Sequence, residues 1–363
     1  MPFIVRLTGP FVHGQNRNAG RSVRARSGGG LVMRKRLGVI AVVIFALSTV
    51  VPVVLIASPA EASCGTAGCA APVPCNTHAG ACWKPALSTR WQYQLQAARD
   101  KAGNCLYPST GGINVGITGT PFTGGGSASP SVFDIDFQTD GACTGGTISQ
   151  ENGAAVAAIH ARGAKAICYI DAGGAESFRP DFPQYDAFNT GCGGCLFGRP
   201  VSGFRNEFWL NINNGQGQRD FILSRIGARL DRCVANGFDG VEMDVVDAWS
   251  NRTGLTISPD TQLLFNTALA NLAHSKGLTV ALKNDVEQVP DLAPYFDYAI
   301  NEQCQQYNEC ANYTTYFVNT VKAVFQVEYK LTTAKFCPNA NSQNRNAILK
   351  TFDLFDTPWT PCR

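Results

Sequence analysis

Gly237-Phe238-Asp239-Gly240-Val241-Glu242-Met243-Asp244 reads as a short buried strand that ends in a carboxylate, and Phe296-Asp297-Tyr298-Ala299-Ile300-Asn301-Glu302 reads as a second. Alternate residues of a strand share a face. Glu242 and Asp244 therefore point one way, Val241 and Met243 the other. Phe133-Asp134-Ile135-Asp136-Phe137 repeats the pattern with Asp134 and Asp136. Paired acids on a buried face cost desolvation and mutual repulsion. A chain carries them to bind cations, share protons or do chemistry, or as ion-pair partners of residues such as Lys283 and Arg179. Carboxylates delivered to one rim by different strands suit cleavage of a glycosidic bond: one attacks or stabilises an oxocarbenium-like centre, the other protonates the leaving oxygen.

Other polar side chains fall at strand ends: Tyr169 and Asp171, Lys283, Asn284 and Asp285, Asn301, Glu328 and Tyr329. Lys and Asn suit sugar hydroxyls and tune a carboxylate's proton affinity; each alone is as consistent with a structural role. Trp249, in the loop after Asp244, is a candidate platform for a sugar ring. Trp209 lies in an apolar run and is expected in the core.

The elements that must position these groups are legible as short apolar or β-branched runs between turn signals. Eight such runs stand at 91–95, 131–137, 165–170, 238–244, 278–284, 295–302, 323–329 and 335–338. Helical periodicity fills 154–162, 219–235 and 261–275, while 111–127 and 171–213 read as long loops. Alternating strands and helices imply a parallel sheet, and eight units imply a closed (β/α)8 TIM barrel, whose active sites lie at the C-terminal ends of the strands. Asp244 ends the fourth strand and Glu302 the sixth, so the two can meet across the mouth. This placement is similar to that in retaining α-galactosidase-type barrels, and by that likeness Asp244 is the nucleophile and Glu302 the acid/base.

The barrel does not occupy the whole chain of 363 residues. Residues 1–32 are rich in Gly and Arg and read as a non-native upstream extension. Met33-Arg34-Lys35-Arg36, an apolar run and an Ala-Glu-Ala site ending at Ala62 form a signal peptide over 33–62. The same run is long enough to anchor the chain in a membrane if it stays uncleaved. Residues 63–88 are a short Cys-rich linker or arm, and 89–363 a single hydrolase domain. Of 30 basic residues eight precede residue 63, and of 27 acidic residues one does, which leaves 22 against 26, a net charge of −4. That balance argues against nucleic acid and suits a cationic ligand. All 14 Cys follow the signal site, and an even number in an exported chain implies disulfides. Cys304 and Cys310 are close enough to pair. Cys192-Gly193-Gly194-Cys195 lacks the further ligands of a zinc site, so no metal is expected.

Trp91-Gln92-Tyr93-Gln94-Leu95, Asp134-Ile135-Asp136, Ile167-Cys168-Tyr169-Ile170, Glu176 with Arg179-Pro180-Asp181, Glu207 with Trp209-Leu210, the run ending at Asp244, Ala281-Leu282-Lys283-Asn284-Asp285, Asn301-Glu302-Gln303-Cys304 with Tyr307 and Cys310, and Val327-Glu328-Tyr329 occur in order. This series resembles glycoside hydrolase family 114, the endo-α-1,4-polygalactosaminidases, over about residues 90–350. The resemblance implies a secreted barrel enzyme without metal or organic cofactor, acting on α-1,4-linked galactosamine-containing polymer with Asp244 and Glu302 as its catalytic pair. It also implies an acidic mouth of Asp136, Asp171, Glu176, Asp244 and Glu302 for a cationic polysaccharide. Asp134, Tyr169, Glu242, Trp249, Lys283, Asn284, Asn301 and Glu328 are further binding candidates. A monomer is expected. The chain departs from the family pattern at Asn211, where Asp is favoured, and at Val245, where Asn is favoured. The rival readings are a barrel hydrolase for another α-linked glycan and a carbohydrate-binding pseudoenzyme.

Overall fold

The computed structural model describes residues 64, 67–77, 80–139, 143 and 150–363. The upstream extension and signal peptide expected over 1–62 lie outside the described residues. Eight parallel strands run in sequence order around one sheet: β1 Trp91–Gln94, β2 Val132–Asp136, β3 Lys165–Asp171, β4 Gly240–Asp244, β5 Thr279–Lys283, β6 Tyr298–Glu302, β7 Val324–Glu328 and β8 Asn346–Leu349. The fold is the expected (β/α)8 barrel, and seven of its strands are those read from the sequence.

The eighth is not. Residues 335–338 lie inside the helix Thr333–Ser342, which buries Phe336, Cys337 and Ala340. Those positions lie on one helical face, and the helix runs on through Pro338. The strand is the next apolar run, Asn346–Leu349, and a short antiparallel β9, Thr360–Pro361, pairs with it. This C-terminal segment fills the seam where the sheet curls back on itself. The Trp359 indole donates to the Trp91 carbonyl at 2.8 Å, and the Trp91 indole to the Asn346 carbonyl at 2.8 Å.

The helices cover the sheet as their periodicity requires. α1 Gly153–Ala161 buries Ala155, Val156 and Ile159. The stretch 171–213 is not a loop. It holds strand Gly174–Glu176, α2 Phe182–Gly191 and the strands Phe197–Val201 and Phe204–Leu210, which make a small three-stranded sheet over the ends of β3 and β4. Its strands were missed because two are short and the third breaks its apolar residues with Arg205, Asn206 and Glu207. α3 Gln218–Ala235 packs Ile222, Ile226 and Leu230 inward, and Cys233 bonds to Cys168 of β3. α4 Pro259–Ser275 starts at Ser258, whose hydroxyl accepts the Thr261 N–H at 3.1 Å.

All 14 cysteines are paired. Cys304–Cys310 is bridged as expected, and Cys192–Cys195 closes on itself. The remaining pairs are Cys64–Cys69, Cys75–Cys82, Cys105–Cys143 and Cys337–Cys362. Among the described residues no helix is long and apolar enough to cross a membrane.

The Cys-rich arm lies against the N-terminal end of the barrel, away from the mouth. The Ala70 carbonyl accepts from the Tyr295 hydroxyl and the Ala71 carbonyl from the Asn271 amide, while the Val73 carbonyl meets His274 Nδ1 at 2.7 Å. His274 Nε2 and Lys84 both reach Asp297 at 2.8 Å.

Candidate active site

The mouth is built around one ammonium group. Lys283, the last residue of β5, is 1% exposed. Its Nζ donates to Glu242 Oε1 at 2.7 Å and to the Tyr93 hydroxyl at 3.0 Å, and stands 3.1 Å from Asp244 Oδ2 and 3.5 Å from Glu302 Oε2. Burial pulls the Lys283 proton affinity down, but Asp244, Glu242 and Glu302 together more than offset it and hold its pKa well above the usual lysine value. The structure thus brings the two strand-tip carboxylates to one ammonium group. Both retain accessible surface, 21% for the Asp244 side chain and 27% for Glu302. Their distances to the shared nitrogen keep those two oxygens within about 6.6 Å of each other, close enough to flank one glycosidic bond.

Each carboxylate is oriented by its own donors. Asp244 Oδ2 accepts from the Tyr169 hydroxyl at 3.0 Å, and Oδ1 from the Val245 N–H at 2.8 Å. Glu302 Oε1 accepts from the Tyr329 hydroxyl and Oε2 from Asn284 Nδ2 at 3.5 Å, while the Asn284 side-chain oxygen accepts the Glu302 N–H at 3.0 Å. Burial, then Asp244, pushes the Tyr169 phenol well up; burial, then Glu302, does the same for Tyr329. Both phenols therefore stay protonated donors at neutral pH.

The backbone is strained where these strands end. Val245 after β4 (φ 62°), Asn284 and Asp285 after β5 (46° and 48°) and Gln303 after β6 (65°) all occupy the left-handed region. Such conformations cost energy in residues other than Gly and cluster at functional sites.

Asp171, in register with Asp244, is 1% exposed and faces the same way. Its Oδ1 accepts the Gly174 N–H at 2.7 Å. The small sheet sets Glu176 opposite Glu207 beside it. Burial first, then Glu176 and Asp244, raises the Asp171 pKa well above the carboxylate range; burial, then Asp171, Glu176 and Asp244, does so for Glu207. Arg179 balances part of this cluster. Its guanidinium bonds Asp136 at 2.7 and 2.6 Å and Glu176 at 2.6 and 3.1 Å. Asp136 and Glu176 are thus held in an ion-pair network at the rim, the structural alternative weighed from the sequence.

Several candidates do not reach the mouth. Asp134 and Glu242 are fully buried below it and meet it only through Lys283. Asn301 lies on the strand face opposite Glu302, where it accepts the Cys304 N–H and donates to Tyr313. Glu328 is buried and takes up the Gln305 N–H and the Gln326 amide. Trp249 is partly buried, its indole donating to Asp285 at 2.9 Å. Trp209 is in the core, as expected. Asn211 binds the Cys195 carbonyl and Asn213, a loop-fixing role.

Three residues near the mouth were not among the site candidates, although Tyr93 and Glu207 stand in the series that carries the resemblance. Tyr93 of β1 bridges Lys283 and Glu242; its signal was a polar tip among four consecutive buried strand residues. Glu207 lay in a stretch read as loop. Phe352 is 37% exposed and packs at a tilt against Tyr329, with ring centroids 4.3 Å apart; it stands in a polar loop that offers no periodicity.

No curated protein matches the chain. Among solved structures, Aspergillus fumigatus Ega3 in complex with galactosamine is 26% identical with a TM-score of 0.58, over 76% of this chain and 95% of that one. The glycoside hydrolase domain of PelA from Pseudomonas aeruginosa is 10% identical with a TM-score of 0.45, over 64% and 90%. The Thermus thermophilus α-galactosidase TtGalA in complex with p-nitrophenyl α-D-galactopyranoside is 13% identical with a TM-score of 0.41, over 62% and 52%. The sequence pattern described as Glycoside-hydrolase family GH114 matches residues 74–363. With that match over most of its length, on a barrel whose mouth gathers two strand-tip carboxylates around one lysine, the chain belongs to glycoside hydrolase family 114.

Proposed function

We propose that the protein is a secreted hydrolase that cleaves α-1,4-linked galactosamine-containing polysaccharide internally, with retention, using Asp244 and Glu302. The observation that carries this reading is the single Lys283 ammonium within 3.1 Å of Asp244 and 3.5 Å of Glu302. In the first step an Asp244 oxygen bonds to the anomeric carbon as the glycosidic C–O bond breaks, and Glu302 gives its proton to the leaving oxygen. In the second, water attacks the same carbon, Glu302 takes the water's proton, and Asp244 is released as the carboxylate. Lys283 and Tyr169 hold Asp244 in line, and Tyr329 does the same for Glu302. No metal or organic cofactor enters this scheme.

The substrate class follows from charge. The related Ega3 was solved with galactosamine, whose free amine is cationic at neutral pH. Asp171 and Glu207, whose protons burial and their acidic neighbours hold, gather with Glu176 beside Asp244, so an ammonium group arriving at the mouth would favour their ionised forms. Phe352, packed at a tilt against the tyrosine that holds the acid/base and with Lys330 Nζ 5.5 Å from its ring centroid, leaves part of its ring exposed to a sugar on the leaving-group side. Fourteen paired cysteines suit an oxidising compartment, and the segment 33–62 would direct export and be removed, leaving the arm 63–88 and the barrel 89–363 as one monomer.

Digestion of partly de-N-acetylated galactosaminogalactan, followed by mass spectrometry of the products, tests the reading. Release of oligosaccharides that retain the α-configuration when first formed is expected. Binding without cleavage would replace it with the pseudoenzyme reading, and cleavage confined to neutral α-galactosides with the other-glycan reading. Binding to the de-N-acetylated polymer should weaken as salt rises, because ammonium–carboxylate attraction is screened.

A further inference from the structure

Beneath the mouth lies an unpaired set of acidic oxygens. Asp134 of β2 and Glu242 of β4 are both fully buried. Neither oxygen of Asp134 has a donor among the described residues, and neither has Glu242 Oε2. The two carboxyl groups are nevertheless within hydrogen-bond contact of each other. Two carboxylates cannot both stay ionised at such contact in a dry interior, and one shared proton satisfies an oxygen on each side. The donors already in place decide which group keeps it. Glu242 Oε1 accepts from Lys283 at 2.7 Å and from Tyr93 at 3.0 Å, which stabilises its negative form. Asp134 has no such support. Tyr298 of β6, the other titratable group facing it, bonds to the Val241 carbonyl instead.

We propose that Asp134 is a positioning residue that stays protonated, donates to Glu242 Oε2, and so fixes Glu242 as the counter-ion of Lys283 directly below Asp244 and Glu302. The buried trio Asp134–Glu242–Lys283 is then neutral as a unit, and two of the lysine's contacts remain directed upward to the catalytic pair. An ionised Asp134 would instead add a further negative charge to a core that already holds Glu242 and Asp244 around one ammonium. Burial, then the neighbouring Glu242 charge, pushes the Asp134 acid in the same direction. The functional consequence rests on Asp244 and Glu302 being the catalytic pair; the protonation itself does not.

Infrared difference spectra of the full-length wild type against Asp134→Asn separate the two. A protonated-carboxyl C=O stretch, unchanged from about pH 5 to about pH 9 and lost in the variant, is expected for an acid held neutral across the range where ordinary carboxylates ionise. Loss of carboxylate bands instead would overturn the proposal whatever the enzyme cleaves. In turnover, Asp134→Asn keeps a donor for Glu242 and should stay within about threefold of wild type with the same pH profile, whereas Asp134→Leu removes the donor and should lower kcat by about tenfold or more with KM little changed. A pH profile displaced as far by Asn as by Leu would show that Asp134 works as a charge and sink the idea. If the Leu variant does not fold, the infrared comparison and the Asn profile still decide.

Discussion

Val245 turns left-handed immediately after Asp244, and its N–H donates back to Asp244 Oδ1 at 2.8 Å. A β-branched residue at φ 62° is a steric outlier. The turn is enforced from the other side as well: a Cβ on Gly173 would lie 1.7 Å from the Val245 carbonyl oxygen. The strain therefore aims the proposed nucleophile, and Asn, which the family pattern favours here, tolerates the same backbone better. Val245→Asn should raise the unfolding free energy by about 1 kcal/mol with Asp244 undisturbed. Urea denaturation measures it, and a variant no more stable than wild type would mean that the surrounding packing already offsets the strain.

Asp244→Asn and Glu302→Gln should each lower kcat by about 10²–10⁴-fold, the range expected when a positioned acid, base or nucleophile is removed. Circular dichroism should show an intact fold in both. Near-wild-type turnover in either variant removes that residue from the mechanism.

Lys283→Met should cost about 3–5 kcal/mol of stability, because it leaves the fully buried Glu242 without its counter-ion. Adding Glu242→Met should recover part of the loss, since an ion pair replaced by apolar groups of similar size is often neutral. A double variant as unstable as the sum of the singles would show that the pair is not coupled as its 2.7 Å contact implies.

Asp171 gives stability a pH slope of defined sign. Its folded pKa is raised above the 3.8 of an ordinary aspartate, first by burial. The native state therefore keeps a proton that the unfolded chain has lost. The contribution is fully present below pH 3.8 and is lost as pH rises towards the folded pKa. Asp171→Asn removes this dependence and can still accept the Gly174 N–H. Its melting temperature should exceed that of wild type increasingly as pH rises from about 4 to 8, and the difference should close in acid. A gap independent of pH would show that Asp171 is not held protonated.

Phe352→Ala should raise KM on the polymer by about tenfold, in line with a lost stacking contact of ~1 kcal/mol or more, while kcat on a short activated aryl glycoside holds. Tyr329→Phe should do the reverse and lower kcat, because it frees Glu302 from its donor. If Phe352→Ala leaves KM unchanged, the exposed ring is no part of the substrate path.

Asp244 and Glu302 could be found in the sequence because a strand's alternation is a local property: the acids share a face with their i−2 neighbours whatever the rest of the chain does. The same local signal gave seven of the eight strands and the helices α1, α3 and α4, since apolar periodicity reports which face must be buried. It failed at β8, where the apolar run at 335–338 belongs to a helical face and the strand is the next run, 346–349, and in 171–213, where the strands pair only with one another in a small separate sheet. Which acids Lys283 gathers, which are buried without a donor, and what brings Glu207 and Phe352 near Asp244 and Glu302 were decided only by the tertiary structure. Those relations join residues on different strands and loops, and their energies depend on burial and on distances of a few ångströms that arise only when the barrel closes.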